Sequence, residues 1–197
     1  MSQPQPIGIL PLPFAAAVHD LSAFEWDPRV QIRELEPPAN IAPYSAAIEA
    51  DMVVGGEDIA SGRLILLHDP AGNDAWGGGF RCVTFAQADV SPETCHDEMM
   101  ADVGWSWLIE ALKTHDARFA SESGTVTTTA STHFGTKQDQ EQLAQIEIRA
   151  SWTPLLDEHA SLTVHLAAWQ DLLRAIAGLP REDDVVIPLA TRGAARR

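Results

Sequence analysis

Apolar and polar positions recur along the chain with two periods, and the change from one to the other divides it into elements. Phe14, Ala17, Val18 and Leu21 stand three and four residues apart, which predicts a short helix after Pro13 that ends by Asp27-Pro28. Val30 and Ile32 then alternate with Gln31 and Arg33 until Pro37-Pro38, where two rings remove backbone donors, so a short edge strand is expected. Over 44–54, Tyr44, Ala46, Ile48, Ala50 and Met52 share one side of a period-two pattern, and Gly55-Gly56-Glu57-Asp58 supplies the turn. Four consecutive apolar residues, Leu64 to Leu67, mark 62–69 as a central strand covered on both faces. The glycine-rich stretch 70–79 around Trp76 reads as a loop or wide hairpin before a strand over 80–90.

Ser91-Pro92-Glu93 opens a helical entry, and over 97–115 Met100, Val103, Trp107, Leu108, Ala111 and Leu112 recur at helix spacing. Trp105 and Ile109 widen that stripe, so the helix is expected to be buried on more than one side. Two more strands follow, one over 125–134 rich in Thr and Val, the other over 144–153. In the second, Ile146, Ile148, Ala150 and Trp152 alternate with Gln145, Glu147, Arg149 and Ser151. The last helix starts near His159 or Ser161 and carries Leu162, Leu166, Trp169, Leu172, Leu173 and Ile176 before Gly178 and Pro180 stop it. Val185-Val186-Ile187 reads as a short further strand.

Strands that follow one another directly favour hairpins, so the expected class is α+β: a mostly antiparallel sheet of about six strands with three helices on one face, in the order α-ββββ-α-ββ-α. This order is similar to that of the type III secretion chaperones, as an architectural analogy. One domain over 13–189 is expected, preceded by a loose lead-in over 1–12 and followed by a mobile basic tail over 190–197.

Composition narrows the function. Of 197 residues 45% are hydrophobic, enough for a sizeable core. A formal charge of -15 has the wrong sign for a direct nucleic-acid partner or an anionic membrane. No apolar run is long enough to span a bilayer, and the first residues lack the basic start of a signal peptide. Two cysteines, Cys82 and Cys95, make no disulfide framework, and a reducing cytoplasm fits them.

Each chemistry-bearing group in the chain also has a plainer structural role open to it. Gly72, Gly77, Gly78 and Gly79 lack the spacing of a phosphate loop and precede a strand, so a hairpin is the better reading. Cys95-His96-Asp97-Glu98 holds four potential ligands, but neighbouring residues diverge at a helix start; no metal site and no cofactor are expected. His159 and His165 do not share a helix face. His68-Asp69 at a strand end is a candidate binding pair, with no nucleophile to make it catalytic. Of six tryptophans, Trp107, Trp152 and Trp169 fall on apolar faces and belong to the core, whereas Trp76 and Trp105 are candidate contacts for a ligand or partner.

The segments Ser61-Gly-Arg-Leu-Ile-Leu-Leu-His-Asp-Pro-Ala-Gly72, Val103-Gly-Trp-Ser-Trp-Leu108, Ile148-Arg-Ala-Ser-Trp-Thr-Pro154 and His165-Leu-Ala-Ala-Trp169 resemble those of an actinobacterial family of uncharacterised proteins, a domain-of-unknown-function group. The resemblance covers about 13–189, implies a bacterial cytosolic protein and supplies no catalytic residues. Two functions follow as expectations: a non-catalytic protein-interaction or chaperone-like adaptor module, self-associating as a homodimer or binding another protein; or a small-molecule site or minor hydrolase around His68, Asp69 and Trp76.

Overall fold

A computed structural model of the chain describes residues 10–139, 142–157 and 160–179. The proposed strand at 185–187, His159, most of the lead-in and the basic tail lie outside these. Helix α1 (Leu12–Ala23) comes first, followed by strands β1 (Val30–Leu35), β2 (Tyr44–Val54), β3 (Glu57–Asn73) and β4 (Gly78–Val90). A single turn of helix α2 (Pro92–Cys95) and helix α3 (Met100–Thr114) lead to β5 (Phe119–Ser131), β6 (Leu143–Pro154) and helix α4 (Thr163–Ile176). All pairings are antiparallel and the strand order is β1-β2-β3-β4-β6-β5, so the expected α+β class, sheet and element order hold.

Local chemistry sets the hairpins. Gly55 and Gly56 both have positive φ, 63° and 91°, as the two-residue turn between β2 and β3 requires when Val54 pairs with Glu57. The β3–β4 hairpin is tighter than the glycine-rich sequence suggests. Asn73 pairs with Gly78, and the Asn73 side chain closes the tip by accepting from the Ala75 amide.

The helices cover one face. Ile48, Ala50, Met52, Leu64, Leu66, Cys82, Ala86, Ile146, Ile148 and Trp152 point to that side and are nearly inaccessible. Against them α4 buries Leu166, Trp169, Leu172, Leu173 and Ile176, flanked by α1 and α3. Two indoles finish their burial with a hydrogen bond: Trp152 Nε1 donates to His165 Nδ1 (3.2 Å), and Trp169 Nε1 donates to Thr84 Oγ1 (2.7 Å). Asp20 of α1 accepts from the Leu162 amide at 3.0 Å, so a carboxylate from another helix caps α4, whose own first turn has no acid. His115 at the end of α3 ties it to α4 through Asp171 (2.9 Å).

Several expectations need correction. The run over 62–69 is covered on both faces only near its end: Leu64, Leu66 and His68 face the helices, while on the other side Arg63 is exposed, Ile65 half-buried and only Leu67 buried. The central helix starts at Met100 rather than 97, because α2 ends at Cys95 with His96 as its C-cap and the Asp97 carboxylate accepts from the Met99 amide, a turn that breaks the helix. Strand β5 begins at Phe119, six residues before the Thr-rich run, and α4 at Thr163. Trp107 is half-buried against the core rather than enclosed by it.

Candidate functional site

Successive strand residues face opposite ways, and this separates His68 from Asp69. The His68 ring enters the helix side, stacked on Phe80 at 4.1 Å and on Phe14 at 5.8 Å between centroids. Its Nδ1 donates to the Gly79 carbonyl (2.8 Å), since a carbonyl only accepts, and its buried Nε2 has no partner among the described residues. Asp69 instead accepts from the Ala71 amide at the hairpin (3.0 Å). The structure thus places the two side chains apart, and the histidine within an aromatic enclosure. Trp76 sits half-buried at the hairpin tip, where its carbonyl accepts from Thr153 Oγ1 at 2.5 Å. Trp105 lies on α3 over Gly124 of β5, also half-buried; a Cβ on that glycine would stand 2.7 Å from the indole and 2.4 Å from the Arg149 carbonyl. The Cys95-His96-Asp97-Glu98 segment does not converge: His96 Nδ1 bonds the Pro92 carbonyl and Asp97 turns onto its own backbone. Among the described residues no three His, Cys, Asp or Glu side chains are grouped to hold a metal.

The helix-free face of the sheet is differently built. Register places side chains in rows across β3, β4, β6 and β5: Arg63, Phe85, Arg149 and Thr125 in one, Ile65, Val83, Ser151 and Ser123 in the next. These rows line a trough of about 750 Å³ open to solvent, with Ile65, Val83 and Phe85 as an apolar floor. Arg33, Arg63, Arg81 and Arg149 all fall on this face, four of the nine Lys and Arg among the described residues. In a chain of net charge -15, this concentration is local.

Three of the four arginines are neutralised in place. Arg33 pairs with Glu49 and Asp51 (2.9 and 2.8 Å), Arg63 with Glu49 (3.0 Å), and Arg149 with Glu147 (2.8 Å) while its guanidinium lies over the Phe85 ring. Arg81 differs. Only 7% exposed, it donates from Nη1 to the Ser121 carbonyl (2.7 Å) and Thr153 Oγ1 (3.1 Å), and from Nη2 to Ser151 Oγ (2.6 Å) and Ser123 Oγ (3.2 Å). Burial pulls its pKa down, because the charged form is the one that loses hydration. A β-bulge in β5 between Ala120 and Ser123, with Ser121 at φ 53°, accompanies the carbonyl contact.

Sequence reasoning did not single out Arg81 or Ser123, and it offers Ser151 only as a hydroxyl on the polar side of the 144–153 strand, outside any nucleophile motif. Alternation alone puts each on a polar side, but only the β4-β6-β5 order, which brings residues some 40 and 70 positions distant onto one guanidinium, makes them a group.

A six-stranded antiparallel sheet covered by helices on one face, with a half-apolar trough on the other, defines an α+β chain. Over residues 10–186 the chain belongs to the DUF3000 family, described as a protein of unknown function. No curated protein and no solved structure gives a significant match to it. No helix among the described residues is long and apolar enough to cross a membrane.

Proposed function

We propose that the chain is a non-catalytic, cytoplasmic protein-interaction module of adaptor or chaperone-like type, and that its working surface is the helix-free face of the sheet. The observation that carries this reading is the apolar floor of Ile65, Val83 and Phe85. These side chains come from strands patterned for burial, and no described element packs over them. The occupant that suits the trough is a partner-protein segment with apolar residues for the floor and one acidic group for its Arg81 end, the arginine of this face that has no carboxylate among the described residues. The three arginines outside Arg81 already carry carboxylates, so a polyanion such as nucleic acid would meet acids on arrival.

Site-specific photo-crosslinking tests this. With a photoreactive phenylalanine in place of Val83, irradiation in the native host is expected to give a discrete adduct of the full chain with a partner protein. The same group at exposed Val103 on α3 is expected to give none. Adducts from position 103 alone, a crosslink from 83 to the chain's own C-terminal residues, or no adduct at 83 would contradict the reading.

A further inference from the structure

We infer that the Ser123–Ser151 end of the trough is a carboxylate anchor, in which two hydroxyls held by the buried guanidinium of Arg81 receive an acidic side chain of the docked partner. This rests on the docking reading above and specifies the chemistry it would use.

Charge balance is the first argument. A buried cation satisfied by neutral oxygens alone keeps an uncompensated charge, and buried charges are ordinarily paired. Arg81 makes four such bonds and, among the described residues, no ion pair with a carboxylate, whereas Arg33, Arg63 and Arg149 each have at least one. Proton direction is the second. Ser123 Oγ and Ser151 Oγ both accept from the guanidinium, so their own hydrogens point elsewhere. The two oxygens are 3.3 Å apart, so one hydroxyl can donate to the other, which leaves at least one proton for the trough that both serines line. The Thr153 proton is spent on the Trp76 carbonyl. The site therefore offers donors backed by positive charge, the arrangement an oxyanion requires.

Backbone conformation is the third. Ser121 holds a left-handed φ of 53°, uncommon for a residue with a Cβ, and its carbonyl is one of the four acceptors that hold Arg81. A single guanidinium matches the single charge of a carboxylate better than the nearly double charge of a phosphate. Val83 sits beside Ser151 in register and Ile65 beyond it, so an apolar residue next to the acid would lie on the floor.

The test is an NMR titration of the 15N-labelled full chain with an acetylated, amidated Leu/Ala hexapeptide carrying one central Asp, and with its Asn counterpart. The Asp peptide is expected to shift the Ser123 and Ser151 amides and to bind about tenfold more tightly than the Asn peptide. That preference is expected to vanish in Ser151→Ala and in Arg81→Gln; should Arg81→Gln fail to fold, Ser151→Ala decides. Equal affinity for both peptides, a preference that survives Ser151→Ala, no shift with either peptide, or stronger competition by inorganic phosphate than by acetate would each overturn the anchor. A partner adduct at position 83 without the Asp preference would remove the anchor and leave the docking surface standing; the preference without an adduct would do the reverse.

Discussion

His165 shows how a single buried side chain makes the fold sensitive to pH. It is 1% exposed, and Trp152 donates to its Nδ1, so the proton of the neutral ring sits on Nε2. Burial lowers its pKa from 6.5 to about 4. The unfolded chain therefore binds this proton at a higher pH than the folded one. The contribution is complete above pH 6.5 and is lost as pH falls through 4, a change of about 3 kcal/mol over that window. Urea denaturation of the native chain and of His165→Gln at pH 7 and pH 4.5 should show the native protein losing more stability than the variant. Equal losses would mean that His165 does not keep its neutral state. Asp27 acts in a separate window: its hydrogen bond to Arg29, against the opposing effect of burial, holds its pKa at about 2, so its contribution disappears only as pH drops from 3.8 towards 2.

Among the elements, the docking of α3 on β5 depends on what is missing from one residue. Gly124 lets the Trp105 indole and the Arg149 carbonyl approach to within 2.7 and 2.4 Å of where a Cβ would stand, and the carbonyl belongs to the paired strand and cannot turn away. Gly124→Ala should cost about 2 kcal/mol by overpacking and lower the melting temperature, with less near-ultraviolet signal from Trp105. A variant as stable as the parent would show that α3 rides free of the sheet. The same elements show what was legible in advance. Strand β6 alternates so cleanly that its pairing face and its burial could both be read from 144–153, and α4 carries an unbroken apolar stripe. The first half of β5, Phe119 to Gly124, has no such pattern: Phe119, Ala120 and Ser123 pair with β6, Ser121 and Glu122 form the bulge between them, and Arg81 contacts Ser121 and Ser123. The apolar run in β3 read as a strand covered twice, and the structure supplies the second cover at Leu67 but not at Ile65. Local sequence records the preference for burial; it does not say whether the chain itself or a partner satisfies it. His68, Asp69, Trp76 and Trp105 stood out because they are chemically versatile. The structure puts two of them on opposite faces and gives the others backbone or packing roles beside the trough's strands.

At the scale of the whole molecule, a chain of net charge -15 places its helices on one side of a six-stranded sheet and gathers four arginines and an apolar floor on the other. On this asymmetry the proposed docking rests: one face of the sheet is packed under helices, and the other keeps an open apolar floor. Hydroxyl-radical footprinting read by mass spectrometry tests it most directly, since oxidation reports the solvent access of individual side chains. Phe85 marks the open face and Met99, 60% exposed, marks the helix side. Between the purified chain and the chain in native lysate, the account predicts that Phe85 loses reactivity while Met99 keeps it. Protection of Met99 with Phe85 unchanged, or no protection of either, would contradict it.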